Sequence, residues 1–159
     1  MSTTPAATAV HSAIVVDVPI DRAFSCFTAD IGSWWNPDHH ILEDELAEMV
    51  FEPRVGGHVY DRGVDGSECR WATVLAYEPP HRLVISWNIN LRWQLETDPE
   101  KASEVEVRFT AQDARHTLVE LEHRHIDRHG EGWEGMHQAV GSPGGWQGGL
   151  ESFAARLAG

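Results

Sequence analysis

Alternation of apolar and polar residues is the clearest pattern in this chain, and it is strongest between residues 103 and 125. The first alternating segment has one face formed by Val105, Val107 and Phe109 and an opposite face formed by Glu104, Glu106 and Arg108. The second has one face formed by Val119, Leu121, His123 and His125 and an opposite face formed by Glu120, Glu122 and Arg124. A period of two is typical of an antiparallel sheet that is covered on one face and wet on the other. The pattern therefore predicts two adjacent strands joined by a turn near residues 113–115.

Turn signals divide residues 52–87 into three more predicted strands. The pair Gly56-Gly57 opens the first of them, and Asp65-Gly66 closes a hairpin because it supplies the positive φ that a tight turn requires. Pro79-Pro80 ends the second strand, since proline has no N–H to donate to a ladder. The apolar run Leu83–Trp87 follows at once, so this part of the chain predicts an antiparallel meander.

Helical periodicity is found towards the two ends of the chain. After a predicted strand at Val10–Val18, short helices are predicted at Pro19–Thr28 and Ile31–Trp35, and a further strand at Glu45–Glu52. At the other end, proline follows a serine that can cap a helix, which predicts one long closing helix over Pro143–Leu157. Its apolar stripe consists of Trp146, Leu150, Phe153 and Leu157. Residues 130–140 fit a short helix or an ordered loop equally well.

These elements together predict an α+β fold of the helix-grip type. A curved antiparallel sheet of about six or seven strands would wrap around the long C-terminal helix, with two short helices after the first strand. We expect residues 1–9 to be a flexible head and residues 10–159 to form a single domain, because a chain of 159 residues is long enough for one core.

Charge limits the possible partners, and cysteine content and the lack of targeting segments limit the possible cellular location. The formal net charge of −13 argues against nucleic acid and anionic membrane surfaces as partners, since both attract basic patches. Cys26 and Cys69 lie far apart in the sequence and outside any metal-binding spacing, which is typical of reduced thiols. The first eight residues lack the features of a signal peptide, and no apolar run approaches the length of a membrane helix. We therefore expect a cytoplasmic protein.

Seven segments spread over nearly the whole chain resemble a known superfamily. They are Val18–Ile20, Trp34-Trp35, Pro53–Gly57, Trp71–Pro80, Arg82–Trp87, Thr117–His123 and Gly144–Trp146. Together they are similar to the START-like (SRPBCC) superfamily, which includes the birch pollen allergen and polyketide cyclases. Within it, they are most similar to the branch named for the activator of heat shock protein 90 ATPase. The resemblance implies the helix-grip fold, but that fold hosts several unrelated functions.

Three functional hypotheses remain open at this point. The first is a small-molecule binding domain with a largely apolar ligand held in a cavity between the sheet and the C-terminal helix. The second is an enzyme of the cyclase or proton-transfer type that uses the same cavity. The third is a co-chaperone-like or regulatory protein-interaction module. A homodimer is also an open alternative, with the last strands and the closing helix as its surface.

Tryptophan is abundant, with seven residues in the chain, and it supplies most of the predicted ligand contacts. The residues predicted to contact a ligand are Trp35, Tyr60, Trp71, Ile85, Trp87, His123, Trp146 and Leu150. Ile85 and Leu150 would lie beside Trp87 and Trp146 and form the dry part of the pocket. The alternative is that these large aromatic side chains simply fill the space between sheet and helix.

Histidine is the best candidate for chemistry. Strand alternation would place His123 and His125 on one face, and three histidines including His58 could in principle bind zinc, but no fourth ligand can be named. The favoured alternative is one histidine packed at the end of the core and one near solvent. We predict no metal and no cofactor, and we take His123 as the best candidate for an acid or base in the cavity. The glutamates on the outer face, Glu104, Glu106, Glu120 and Glu122, are predicted to be solvated surface. Asp61, Glu68 and Arg70 are predicted to form ion pairs at the exposed hairpin. The sequence contains no established catalytic motif.

Overall fold

The computed structural model describes residues 8–36, 39–42 and 45–158, and its main feature is a single antiparallel sheet. The seven strands are β1 Val10–Val16, β2 Leu46–Phe51, β3 His58–Gly63, β4 Glu68–Glu78, β5 Arg82–Trp87, β6 Ser103–Ala111 and β7 Thr117–Arg124. Their order in the sheet is β1-β7-β6-β5-β4-β3-β2, and all neighbours are antiparallel. The sheet is curled and is closed by helices, so the predicted α+β helix-grip fold is confirmed.

The helices are short and lie at the two ends of the chain. They are α1 Ile20–Thr28, α2 Ile31–Trp34, α3 Trp133–Val140 and α4 Gly148–Ala158, with a π-helical segment at Pro143–Gln147. Among the described residues, no helix has both the length and the apolar character needed to cross a membrane. The predicted head, residues 1–9, lies largely outside the described residues; Ala9 is buried, and its carbonyl oxygen lies 3.0 Å from the imidazole Nε2 of His137.

The predicted turns are where the sequence placed them, and the two glycines before β3 show why. Gly56 has a φ of 86°, in the region that favours glycine. Gly57 is crowded instead: a Cβ there would lie 2.8 Å from the Cβ of Glu52 and 3.0 Å from the carbonyl oxygen of Arg54. A side chain is therefore disfavoured at both positions for different reasons, which confirms the expectation for this strand entry.

The predicted closing helix is wrong in one respect, because it is not continuous. Gly145, inside the π-helical segment that precedes α4, has a non-helical ψ of −130°. A Cβ on Gly145 would lie 2.2 Å from the carbonyl oxygen of Val140, so this close approach to the end of α3 requires glycine. The apolar stripe nevertheless points inwards as predicted, and its members are all buried: Trp146, Leu150, Phe153 and Leu157.

The covered face of the sheet carries two aromatic clusters. Phe27 of α1 lies against Phe109 of β6 and Phe153 of α4, with ring centroids 5.6 and 5.3 Å apart in edge-to-face geometry. Trp34 of α2 completes this phenylalanine cluster and also contacts Trp35 at 5.7 Å. Trp35 belongs to the second cluster, which is built of tryptophan, so the end of α2 joins the core to the candidate site.

One prediction for the outer face of the sheet is wrong. Glu106 of β6 was predicted to be solvated, but its side chain is only 3% exposed. It accepts hydrogen bonds from Arg82 of β5, Arg108 of β6 and Arg124 of β7. Burial alone raises the pKa of Glu106, but the hydrogen bonds from Arg82 and Arg108 and the charges of Arg108 and Arg124 outweigh it and lower the pKa to about 2. The register of three strands thus converts an apparent surface carboxylate into a buried ion cluster.

Candidate ligand-binding site

Four tryptophans form a closed ring of contacts under the C-terminal segment. Trp35 follows α2, Trp71 lies on β4, Trp87 ends β5 and Trp146 lies in the π-helical segment. Going round the ring, the centroid separations are 5.1 Å for Trp35–Trp71, 5.8 Å for Trp71–Trp87, 5.5 Å for Trp87–Trp146 and 5.8 Å for Trp146–Trp35. We call these four residues the tryptophan cluster. Its members come from four separate elements, so only the closed fold brings them together.

A cavity of about 590 Å³ lies beside the tryptophan cluster. Its wall is formed by residues 34–36 and 39–41 after α1, by the end of β5 and the connection to β6, and by residues of the 139–149 segment. Three of the predicted ligand contacts line it, namely Trp35, Trp87 and Trp146. Trp93 also lies on the wall; it is about half exposed and has a φ of 58°, which is unusual for a non-glycine residue.

The other five predicted contacts lie outside this wall. Trp71, Ile85 and Leu150 are buried in the core. Tyr60 is buried on β3, where its hydroxyl accepts a hydrogen bond from Arg62 at 3.0 Å. His123 is fully buried beneath the cluster. Contact of these five side chains with a ligand stays a prediction.

His123 belongs to a chain of hydrogen bonds that starts at the cluster. The indole N–H of Trp146 donates to Nδ1 of His123 at 3.0 Å, which leaves the imidazole proton on Nε2. Nε2 lies 2.7 Å from Oγ of Ser103, and the same Oγ lies 2.7 Å from Nε2 of His129. The consistent assignment is that His123 donates to Ser103 and Ser103 donates to His129. Both ring nitrogens of His123 are therefore engaged.

The same burial controls the charge of this histidine. Removal from water lowers the pKa of His123 to about 3, and repulsion from His129 and His137 acts in the same direction. Burial also lowers the pKa of His129. His123 is thus neutral at ordinary pH, and it holds Trp146 in place as a hydrogen-bond acceptor.

The predicted shared strand face of His123 and His125 is wrong, but the favoured alternative, one histidine packed in the core and one near solvent, is confirmed. Strand β7 ends at Arg124, and His125 has a φ of 60° and is exposed as the chain turns into the 3₁₀ segment Ile126–His129. His58 lies elsewhere, with Nδ1 3.4 Å from Oγ1 of Thr73. In the part of the chain that the structure describes, no group of three or more histidine, cysteine, aspartate or glutamate side chains is arranged to hold a metal ion.

A histidine–aspartate pair lies at the cavity, and the sequence analysis did not find it. His40 lines the cavity, and its Nδ1 lies 2.9 Å from Oδ2 of Asp61 on β3. The second carboxylate oxygen of Asp61 accepts a hydrogen bond of 3.3 Å from the indole N–H of Trp71. Asp61 was predicted to form ion pairs at an exposed hairpin, but its side chain is only 1% exposed. The ion pairs at that hairpin join Glu68 to Arg62 and Arg70 instead.

One polar group of a residue that lines the cavity has no partner among the described residues. In the tryptophan cluster, Trp35 donates to the carbonyl oxygen of His39 at 3.0 Å, while Trp71 and Trp146 donate as described above. The indole Nε1 of Trp87 is buried and has no hydrogen-bond partner among the described residues. An unpaired buried donor costs about 1–3 kcal/mol, so this group is unusual in a folded protein.

Comparison with known proteins identifies the family. The model for the activator of Hsp90 ATPase homolog 1-like proteins matches residues 17–158. The chain belongs to this family. The resemblance to the START-like superfamily and to this branch is therefore confirmed. None of the curated proteins compared with the chain matches it.

Solved structures similar to this member of the activator of Hsp90 ATPase homolog 1-like family include proteins with different descriptions. An anthrahydroquino-gamma-pyrone synthase, Txn09, is 37% identical over 94% of this chain and 96% of its own, with a TM-score of 0.67. CalC from Micromonospora echinospora, described as a self-sacrificing resistance protein, is 26% identical over 94% of both chains, with a TM-score of 0.68. Protein NE0264 from Nitrosomonas europaea is 14% identical over 99% of this chain and 98% of its own, with a TM-score of 0.70, and shows the fold alone.

Within this family member, the residues missed by sequence reasoning share one property. His40, Ser103 and His129 have their polar partners on other elements, and no short spacing in the sequence connects them. The only local signal was the abundance of histidine, which does not distinguish one imidazole from another.

Proposed function

We propose that this protein binds a planar aromatic small molecule that carries a carbonyl oxygen, in the cavity beside the tryptophan cluster. The observation that supports this most directly is the buried indole N–H of Trp87, a residue of the cavity wall, which has no partner among the described residues. A ligand carbonyl would accept that hydrogen bond and remove its desolvation cost. The aromatic faces of Trp35 and Trp146 on the same wall suit a flat, electron-rich or conjugated ring system.

The size of the cavity agrees with this proposal. Sites for drug-sized molecules span about 300–1,000 Å³ and are mostly apolar with a few placed polar groups. A cavity of about 590 Å³ lined by tryptophan, isoleucine and valine side chains, with two histidines, fits that description. A fused three-ring aromatic ketone is a suitable probe.

Filling the cavity tests the proposal. Gly149 of α4 lines it, and a Cβ there meets only a ring carbon of Trp34, at 4.0 Å. The Gly149→Leu side chain would occupy the cavity, while leucine favours helix more than glycine and keeps α4 stable. We expect 2-hydroxyanthraquinone to bind the wild type and to lose at least about tenfold in affinity in Gly149→Leu, measured by tryptophan fluorescence quenching and calorimetry.

The matched control is another helical glycine outside the cavity. Gly135 of α3 is exposed and has open space around its Cβ position, so Gly135→Leu makes the same chemical change away from the ligand. Its affinity should equal that of the wild type. Equal binding by both leucine variants, with the fold intact, would contradict the proposed location.

A second candidate function is ring-closing catalysis in the same cavity. The 37% identity to a protein described as a pyrone synthase, over nearly the full length of both chains, favours it. A suitable probe reaction is the closure of an ortho-hydroxyphenyl β-diketone to a chromone, in which the phenol oxygen adds to a ketone carbon and water leaves. We expect the folded protein to accelerate this closure, followed by absorbance, and Gly149→Leu to slow it. A rate equal to that with heat-denatured protein would reject catalysis of this class.

A further inference from the structure

We propose that His40 is the proton acceptor of the cavity and that it takes the proton of an acidic hydroxyl, a phenol or an enol, on the bound aryl ketone. Asp61 is the positioning residue for this histidine. The inference rests on the proposed function, since it assigns the substrate class and the base of the same cavity. It is based on a different observation from the one at Trp87, namely a nearly buried histidine–aspartate pair whose histidine lines the cavity.

The hydrogen bond between the two side chains fixes which nitrogen is free. A carboxylate oxygen only accepts hydrogen bonds, so the 2.9 Å contact requires the proton of His40 to be on Nδ1. In the neutral imidazole, Nε2 then carries a lone pair. This is the tautomer that a general base needs, and it is the arrangement in which a carboxylate orients a catalytic histidine.

The position of the carboxylate is itself fixed by the tryptophan cluster. Asp61 holds His40 with one oxygen and accepts the Trp71 indole N–H with the other. Trp71 in turn lies against Trp35, with ring centroids 5.1 Å apart. Because the carboxylate is 1% exposed and the imidazole 10% exposed, water does not compete strongly for either group. The pair is therefore preorganised in the folded protein.

Two other histidines, His123 and His39, are less suited to accept a proton from a ligand. His123 is fully buried, both of its ring nitrogens are engaged by Trp146 and Ser103, and it does not line the cavity. His39 lines the cavity but is exposed, and among the described residues its ring contacts Asn36. Only His40 combines a cavity position with a carboxylate partner among the described hydrogen bonds of this wall.

The chemistry of the step is a single proton transfer. The O–H bond of the ligand hydroxyl breaks, its proton binds to the Nε2 lone pair of His40, and the electron pair stays on the oxygen as an oxyanion. The resulting imidazolium lies beside Asp61, whose negative charge offsets it. In a conjugated hydroxyaryl ketone, the charge of the oxyanion spreads to the carbonyl oxygen, which would accept the hydrogen bond that the Trp87 N–H donates.

The test uses the colour of the bound probe. The visible band of 2-hydroxyanthraquinone moves to longer wavelength when its hydroxyl ionises, so the spectrum reports the proton directly. At a pH at which the free dye is neutral, we expect the wild-type complex to show the ionised band. At saturating dye, His40→Gln should show the neutral band, and its affinity should fall at least about tenfold, because the proton transfer that stabilises the wild-type complex is removed.

Asp61→Asn provides a second variant that keeps the imidazole in place. The amide oxygen would still accept from Trp71, while the amide N–H₂ would donate to Nδ1 and move the imidazole proton to Nε2. We expect the ionised band to be lost here too. Nitrogen NMR of the ligand-free protein should report the change from an Nδ1–H to an Nε2–H tautomer at His40, a change that a purely structural role of Asp61 would not produce.

The outcomes separate the two proposals. A wild-type complex with the neutral dye band, or an ionised band that persists in His40→Gln, overturns this inference and leaves the binding proposal intact. Loss of the band in His39→Gln but not in His40→Gln assigns the proton to the neighbouring histidine and also overturns it. Absence of dye binding by the wild type overturns both. His81→Gln, in an exposed turn away from the cavity, serves as the control and should behave as the wild type.

Discussion

Acidification from about pH 6.5 to about pH 3 should lower the free energy of unfolding by up to about 5 kcal/mol through His123 alone. Burial lowers the pKa of His123 in the folded protein to about 3, against an ordinary value of 6.5. Between these values the unfolded chain binds a proton that the folded protein does not. Stability is therefore complete above pH 6.5, falls as the pH is lowered through this window, and levels off near pH 3.

The measurement is urea unfolding followed by tryptophan fluorescence at several pH values. The informative interval is about pH 6.5 to 5, where carboxylates contribute little. There the free energy of unfolding should fall by at most about 1.4 kcal/mol per pH unit, the value for one proton taken up on unfolding. His123→Gln removes the titrating group and should flatten this slope, apart from a smaller contribution of the same sign from His129, whose pKa burial also lowers. The exposed His81 supplies the control variant His81→Gln, which should keep the wild-type slope. An unchanged slope in His123→Gln would contradict the prediction.

Removal of the Glu106 carboxylate is expected to destabilise the protein by about 2 to 4 kcal/mol. Glu106→Ala leaves the guanidinium groups of Arg82, Arg108 and Arg124 facing one another without their shared acceptor. The arginine side chains are between 25% and 63% exposed, so hydration recovers part of the lost stability. The expected destabilisation is therefore smaller than the full cost of an unpaired buried charge.

Two variants make this measurement specific. Glu106→Gln keeps the side-chain volume and one acceptor oxygen. Its free energy of unfolding should lie between those of the wild type and Glu106→Ala. Glu120 of β7 lies opposite Arg108 in the register but is exposed, so Glu120→Ala should change stability by less than about 0.5 kcal/mol. Equal stability of Glu106→Ala and Glu120→Ala would show that the cluster contributes nothing. The wild type should also lose this contribution as the pH falls from 4.5 towards 2, since the folded pKa of Glu106 is the lower one.

Much of the fold could be predicted from local patterns. Alternation of apolar residues placed β6 and β7, and the glycine and proline turns placed the hairpins, because the period of side chains along a strand and the φ of a turn are local properties. The stripe from Trp146 to Leu157 predicted the buried face of the C-terminal segment correctly. It did not predict the break at Gly145, because that break follows from the approach of another carbonyl group, at Val140.

Local patterns were wrong where a neighbouring element changed the environment of a residue. Alternation continued through His125, but the chain leaves the strand there with a left-handed residue. Alternation placed Glu106 on the wet face, and it does lie opposite the core, but arginines from two neighbouring strands and its own strand bury it. Alternation predicts the face of the sheet on which a side chain lies. It does not predict which side chains of the neighbouring strands contact it.

The sequence by itself thus determined the class of fold, the family and the presence of an aromatic interior, because these depend on spacing along the chain and on residue types. Only the tertiary structure decided which tryptophans line the cavity, that the Trp87 N–H has no partner in the described part of the chain, and that His40 meets Asp61 across 21 positions of the chain. The physical reason is that hydrogen bonds and cavities depend on distances of a few ångströms between elements. Those distances are fixed by the packing of the whole sheet against its helices, and no local repeat encodes them.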